Sequence, residues 1–360
     1  MCTATETIRK GIDIFPLKSY HKIVVACSGG KDSIVGVLDL LEQGVEPERI
    51  ELMHHRIDGM GKKRFDWAIT DSYVQAFARH VGIKLRFSWK DGGFEGELLR
   101  DEALSKGVYY EDGDGTVQYV PPAKPGTYCK ECRAIFLGDE KRCLECNTLR
   151  KGYNTRLKYP MVIADLSRRW CSAYLKIDIF KRVLCNDPRF EEGNFLLITG
   201  ERRQESTPRS KMVAAENHRS SNKRRIVHQY RSVLEWREEQ VWETMKRHGI
   251  VPHPCYRLGF ARCSCMFCIF GDEHQWATAR KLAPDRFAWH SQNEKRFGLT
   301  LLHDQSLEQC ADEGKVFEAA DNPELAALAM SEHYPQDQIY VPPSEWKYPA
   351  GSFKRQGGPV

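Results

Sequence analysis

Residues 23–38, IVVACSGGKDSIVGVL, leave little choice of local fold. The apolar run Ile23-Val24-Val25-Ala26 leads into a small polar turn, Ser28-Gly29-Gly30-Lys31-Asp32-Ser33. Apolar residues then recur at Ile34, Val35, Val37 and Leu38, on one face of a helix. The pattern predicts strand, turn, helix. Paired glycines let the backbone turn tightly with its N–H groups inward, and the new helix offers unpaired donors and a partial positive charge. A turn of this kind suits an anion, phosphate above all. The spacing Gly, four residues, Gly-Lys-Ser/Thr is absent, which excludes the phosphate loop of kinases and GTPases.

The alternation continues beyond this stretch. Ile50–His55 reads as a second strand, Asp66–Val81 as a helix with Trp67, Ile69, Tyr73, Val74, Phe77 and Val81 apolar, and Ile83–Trp89 as a third strand. This rhythm predicts an α/β, Rossmann-like parallel sheet with right-handed crossovers, binding its ligand beyond the carboxyl ends of the strands. Residues 107–126, with Gly, Asp and a Pro-Pro pair, break the rhythm and mark an insertion. The pattern resumes at Met161-Val162-Ile163, followed by a helix over Arg169–Leu184 and a buried strand over Asn194–Thr199. The expected organisation is an α/β domain from 1–120 and 155–250, a metal-binding insertion over 121–154, a mostly helical cysteine-rich module over 251–333 and an extended, proline-rich tail over 334–360. No apolar run approaches the roughly 20 residues of a membrane span. The start, MCTATETIRKG, has no signal-peptide core, so a cytoplasmic protein is expected. A net charge of +5 names no partner, but residues 202–231 hold nine Lys or Arg against Glu205 and Glu216. That run is either a nucleic-acid contact or a solvated polar face.

Thirteen cysteines in a reducing compartment, most of them clustered, point to metal. Cys129-x-x-Cys132 and Cys143-x-x-Cys146, ten residues apart, can converge four thiolates tetrahedrally on Zn²⁺. A closed site of four cysteines braces its surroundings and has no open position for catalysis. Lys130, Arg133, Lys141, Arg142, Arg150 and Lys151 surround it and are either phosphate contacts or solvated charges. Beyond the strand ending at Thr199 comes Gly200-Glu201-Arg202-Arg203-Gln204-Glu205-Ser206, then Arg209. Guanidinium groups leaving a strand's carboxyl end can reach phosphates held by the first turn, with Glu205 orienting an arginine or touching substrate. Cys2, Cys27, Cys185 and Cys310 read as plain thiols or core residues.

SGGKDS resembles the pyrophosphate loop (PP-loop) of the N-type ATP pyrophosphatases and of the phosphoadenosine phosphosulfate (PAPS) reductase family. Gly200 to Ser206 with Arg209 resembles that family's Gly-x-Arg-x-x-Glu-Ser…Arg motif. RRWCSAYLK, residues 168–176, resembles its cysteine-bearing helix, and LEWREEQVW, residues 234–242, its segment after the fifth strand. Tyr256, Gly259 and Phe260 followed by Cys265-Met266-Phe267-Cys268 resemble the Tyr–Gly–Tyr…Cys-x-x-Cys segment of the iron–sulfur members, those of DNA phosphorothioation most of all. The resemblance implies ATP and Mg²⁺, bound through Ser28, Gly29, Gly30, Lys31, Asp32, Ser33, Asp58, Arg202 and Arg209. It implies Lys31, Asp32, Arg202 and Glu205 as the catalytic set. It also implies a [4Fe–4S] cluster on Cys171, Cys265 and Cys268, completed by Cys255 or Cys263, because Trp170 stands where relatives carry a second helix cysteine. Zinc on the same thiols is the alternative.

Three functions compete. The first is an ATP-dependent sulfur transferase that adenylates an oxygen of nucleic acid, DNA or tRNA, and replaces it with sulfur from a cysteine desulfurase or other donor. The second is a PAPS or adenylylsulfate reductase making sulfite. Its nucleophilic cysteine would have to be Cys310, in Gln309-Cys310-Ala311-Asp312, which lacks the Gly and His of the reductase segment. The third is a nucleotide-responsive nucleic-acid-binding protein. The intact loop favours the first. No membrane partner is expected, and a homo-oligomer is compatible with the sequence.

Overall fold

Five parallel strands carry the fold. The computed structural model describes residues 11–163, 165–302 and 304–354. Cys2, and the end of the tail from residue 355, lie outside the described residues. The strands are β1 (Lys22–Ala26), β2 (Ile50–Arg56), β3 (Lys84–Lys90), β4 (Ala103–Leu104), β5 (Val108–Glu111), β6 (Val117–Val120), β7 (Tyr153–Asn154), β8 (Gly193–Ile198), β9 (Ala215–Asn217) and β10 (Arg225–Tyr230). Eight form one sheet in the order β6-β5-β3-β2-β1-β8-β10-β9, while β4 and β7 pair separately. β3, β2, β1, β8 and β10 are parallel, and β5, β6 and β9 are antiparallel additions at the two edges. The α/β Rossmann-like class expected from the sequence is the one observed.

β1 lies at the centre, with Val24 in register with Glu51 on one side and Leu197 on the other. A strand covered on both faces is apolar throughout, which is why IVV is unbroken. Helix α1 (Lys31–Glu42) buries Ile34, Val35, Val37 and Leu38 as its periodicity requires. Helix α2 (Thr70–His80) begins four residues later than expected. The Asp58 carboxylate accepts from the Phe65 and Asp66 N–H groups, and that of Asp66 from Trp67 N–H, so the chain turns there instead of winding.

Two expectations are corrected. Residues 108–120 do not open an insertion; they form the β5–β6 hairpin that extends the main sheet. Met161-Val162-Ile163 is not a strand, and Met161 and Val162 are exposed. Apolar character alone does not make a strand where no neighbour offers a free edge.

Beyond the sheet, the helices Glu273–Leu282, Pro284–Phe297, Leu307–Glu313 and Pro323–Met330 form the expected helical module. The described tail is more than extended chain: Val341 N–H donates to the Gly249 carbonyl, and the buried Trp346 donates Nε1–H to the Ile250 carbonyl at 2.8 Å.

His290, fully buried, ties the helical module to the loop after β2. Nε2–H donates to the Arg64 carbonyl at 2.8 Å, which leaves Nδ1 to accept from the Tyr159 hydroxyl at 3.0 Å. Burial holds its pKa down to about 3. The unfolded chain takes up a proton near pH 6.5 that the folded chain refuses, so stability is lost as pH falls from about 6.5 toward 3. Urea midpoints measured across that window are expected to fall with pH, and less steeply in His290→Gln.

Candidate functional site

The turn after β1 is held by its own hydroxyls. Ser28 N–H donates to Ser33 Oγ at 3.2 Å, and Ser33 Oγ–H to the Gly30 carbonyl at 2.9 Å. Gly29 sits at φ +79°, a conformation open to glycine. Gly200, where the chain leaves β8, passes so close that a Cβ there would lie 2.9 Å from the Asp32 carbonyl carbon. The two motifs resembling the PAPS reductase family thus meet at the carboxyl edge of the sheet. Between them opens a cavity of about 350 Å³, reached by Ser28, Gly30, Ser33, Gly200, Glu205 and Arg209. A second cavity of about 300 Å³, with Met53, His55, Phe180 and Leu197 in its wall, adjoins it through Ala26, Ile57 and Thr199.

The expected catalytic residues are together, but several are already engaged. The Lys31 ammonium donates to the Ala261 carbonyl at 3.0 Å, lies 3.5 Å from Glu238 and sits over the Trp242 and Tyr256 rings. Its backbone N–H donates to the Tyr256 hydroxyl at 3.0 Å. Arg202, buried, donates Nε–H to Asp32 at 2.5 Å and Nη1–H to Gln204 at 2.9 Å. Burial works against ionisation of Asp32, yet Lys31 and Arg202 hold its carboxyl below the usual range. Glu205 pairs with Arg209 and lies 3.6 Å from Arg262. Asp58, expected on the nucleotide, instead braces the 65–66 turn and lines neither cavity.

Besides Arg262, two other cations, Arg169 and Lys176, face the cavity, and sequence reasoning passed over all three. The expected helix over 169–184 is broken by a π turn, Ala173–Ile177, between Trp170–Ser172 and Asp178–Asn186. Residues five apart point about 140° apart in an α-helix and come closer to one direction where hydrogen bonds run i to i+5. The turn therefore brings Cys171 and Lys176 to the same cavity wall, beside Arg169. Lys176 makes no hydrogen bond or ion pair among the described residues, and the buried Arg169 Nε has no hydrogen-bond partner among them. Burial opposes the Lys176 charge, but Cys265, Asp66 and Cys171 around it raise its pKa. The only clue in the sequence was Lys176 in RRWCSAYLK. Lys176→Ala is expected to weaken ATP turnover by about 100-fold, with Lys176→Arg largely restoring it, as read from pyrophosphate release.

The cysteines fall into three groups. Cys129, Cys132, Cys143 and Cys146 bring their sulfurs within 4.8 Å of one another. The 129–146 and 132–143 pairs are 3.5 and 3.4 Å apart, against about 3.8 Å for tetrahedral sulfurs on zinc at about 2.3 Å. The two knuckles repeat one geometry. Arg133 and Asn147 donate N–H back to Cys129 and Cys143, both at positive φ. These residues fit a structural metal. Of the surrounding basic residues, Arg150 is buried and donates to the Gly126 and Gly138 carbonyls, and Arg142 pairs with Glu102, so neither is free for phosphate. In the 202–231 run, Arg202, Arg203, Arg209, Arg224 and Arg231 pair with acids and Arg225 is buried on the Leu184 and Phe190 carbonyls, while Lys211, Arg219, Lys223 and Arg224 are exposed.

Cys171, Cys265 and Cys268 line the cavity around Lys176 and act electrostatically on one another. Their sulfurs do not all lie within 4.8 Å of one another. Cys255 does not join them. It is wholly buried and lies with the buried His253 and the partly buried Cys263, the three ligand atoms all within 4.8 Å of one another. Of the two residues expected to complete the cluster, Cys255 lies in the short helix Pro254–Arg257 and does not line the cavity, whereas Cys263 does.

Residues 154–270 match the phosphoadenosine phosphosulfate reductase domain. The match covers about a third of the chain and bears out the resemblance seen in the motifs from Arg169 to Cys268. The chain is 32% identical over 120 residues to an uncharacterized 37.8 kDa protein of Escherichia phage 186, covering 33% of this chain and 35% of that one. It is 27% identical over 131 residues to an uncharacterized protein of Methanocaldococcus jannaschii, covering 36% and 30%. The aligned segments thus span about a third of the length of these curated relatives. Among solved structures it is similar to Candida glabrata FMN adenylyltransferase in complex with FAD and inorganic pyrophosphate, at TM-score 0.35 and 11% identity over 92% of this chain and 81% of that one. Among the described residues no helix is long and apolar enough to cross a membrane.

Proposed function

We propose that the protein is an ATP-dependent, adenylating sulfur transferase acting on nucleic acid, through DNA phosphorothioation or RNA thiolation. One observation carries this reading: the intact SGGKDS turn and the thiols of Cys171, Cys265 and Cys268 open on one cavity. The turn's backbone N–H groups would receive the pyrophosphate of ATP, with Arg169 and Lys176 facing the charge that develops. The Asp32–Arg202 pair holds the turn against the exit of β8. The adjoining apolar cavity suits a nucleoside. An acceptor oxygen would attack the α-phosphorus and pyrophosphate would leave with Mg²⁺ neutralising it; the terminal sulfur of a desulfurase's persulfide would then displace AMP, and a second thiol would cleave the resulting S–S bond, releasing the thiolated product and leaving a disulfide on the desulfurase cysteine. A [4Fe–4S] cluster on the three cavity thiols would supply soft, sulfur-rich chemistry at that wall. The exposed Tyr128, Lys130, Arg133 and Lys141 of the cysteine knuckles suit a nucleic-acid backbone and its bases.

The reductase reading loses further ground. Cys310, its only candidate nucleophile, is buried in the helix Leu307–Glu313, lines neither cavity, and has its thiol pushed up to about 11 by burial. The test is anaerobic incubation of the full chain with α-labelled ATP and DNA or tRNA. Pyrophosphate and AMP released only with acceptor support the transferase. Sulfite made from PAPS with thioredoxin, without ATP cleavage, would replace it by the reductase.

A further inference from the structure

We infer that His253, Cys255 and Cys263 form a mononuclear site for a soft divalent cation, zinc, distinct from the four-cysteine knuckles and from the cavity thiols. The three ligand atoms lie within 4.8 Å of one another, the spacing of donors around one ion. They come from a compact piece of chain: His253 caps the helix Pro254–Arg257, Cys255 lies in that helix, and Cys263 follows in the irregular chain past Phe260. His253 and Cys255 are inaccessible, while Cys263 reaches both cavities.

Donor chemistry favours metal over a bare thiol pair. Two thiol sulfurs and an imidazole brought this close form the kind of mixed nitrogen and sulfur donor set that zinc takes. The imidazole is held from both sides, Nδ1 accepting from Cys255 N–H at 3.2 Å and Nε2 facing Thr70 Oγ1 at 3.3 Å. Both contacts are long. Either nitrogen can exchange its contact for the ion while the other keeps the ring oriented, the usual outer-shell support of a ligating histidine. Cys27 is near, but its thiol is bonded to Ser33 and Gly29 of the phosphate turn and is not counted as a ligand.

The site's position gives it a consequence. A Cβ on Gly30 would lie 3.5 Å from the Cys263 Cβ, and the Ala261 carbonyl holds the Lys31 ammonium. An ion bound here would fasten the segment that lies over the phosphate turn.

The inference is independent of the sulfur-transfer reading and is tested by metal content. The full chain, purified without oxygen, is expected to hold two zinc ions per chain, whatever its iron. Cys263→Ser, which changes one atom at a cavity wall, is expected to fold and to hold one zinc with its iron unchanged. Cobalt in place of zinc should give thiolate-to-cobalt charge-transfer absorption, which scales with the thiolate ligands, that falls by about a third in Cys263→Ser and by about two thirds in Cys129→Ser. Two zinc ions retained in Cys263→Ser, one zinc in the unaltered chain, loss of iron instead of zinc, or a Cys255–Cys263 disulfide in freshly isolated protein would each overturn it.

Discussion

Arg202→Met is expected to lower ATP-dependent pyrophosphate release by about 100- to 1,000-fold and to destabilise the fold by about 3 kcal/mol. The guanidinium is buried and carries the Asp32 carboxylate, the Gln204 amide oxygen and, more weakly, the Trp236 carbonyl. Removing it strands a carboxylate that is only 18% exposed beside the phosphate turn. Breaking one half of a buried pair costs more than losing both halves. Asp32→Asn/Arg202→Met should therefore be more stable than Arg202→Met alone, as read from urea midpoints. Activity should not return with it, because the neutral pair no longer clamps α1 to the exit of β8. Equal destabilisation in the single and double variants would show that the pair is not coupled.

Removal of the knuckle metal should have the second largest effect, confined to one part of the molecule. Cys143→Ser is expected to lose one zinc and to render the stretch around residues 126–152 sensitive to protease. Binding of a structural zinc contributes about 10 kcal/mol or more to the folding of such small units. The described stretch joins the rest of the chain chiefly through β4 with β7 and the Arg142–Glu102 pair. ATP affinity is therefore expected to stay within about twofold, as for sites that share no contacts. Metal analysis, limited proteolysis and nucleotide titration on one preparation check all three parts.

What the sequence disclosed depended on how far apart the deciding residues lie. The β1–turn–α1 unit and the paired knuckles were legible because periodicity and spacing act within a few residues. The orientation of Lys31 was not, because its partners Glu238 and Ala261 lie more than 200 residues away. Asp58 looked like an edge residue and proved to be a turn brace, since its acceptors' donors, Phe65 and Asp66, could belong to any loop. RRWCSAYLK fits an α-helix and a π turn equally well by composition, so the face shown by Lys176 was hidden. Cys255 and Cys263 looked interchangeable as cluster ligands, and only the fold shows that they face each other.

The irregular turn at Ala173–Ile177 also fixes what this chain can tolerate in length. Deleting one residue there would restore an unbroken α-helix and leave Asp178–Asn186 seated on the sheet, but it would rotate everything before it by about 100°. Arg169 and Cys171 would swing off the cavity wall with no change in any side chain. A single surplus residue thus lets one helix keep two phases, one matched to the core and one to the cavity, so that shortening it by a residue would do more harm than most substitutions along it.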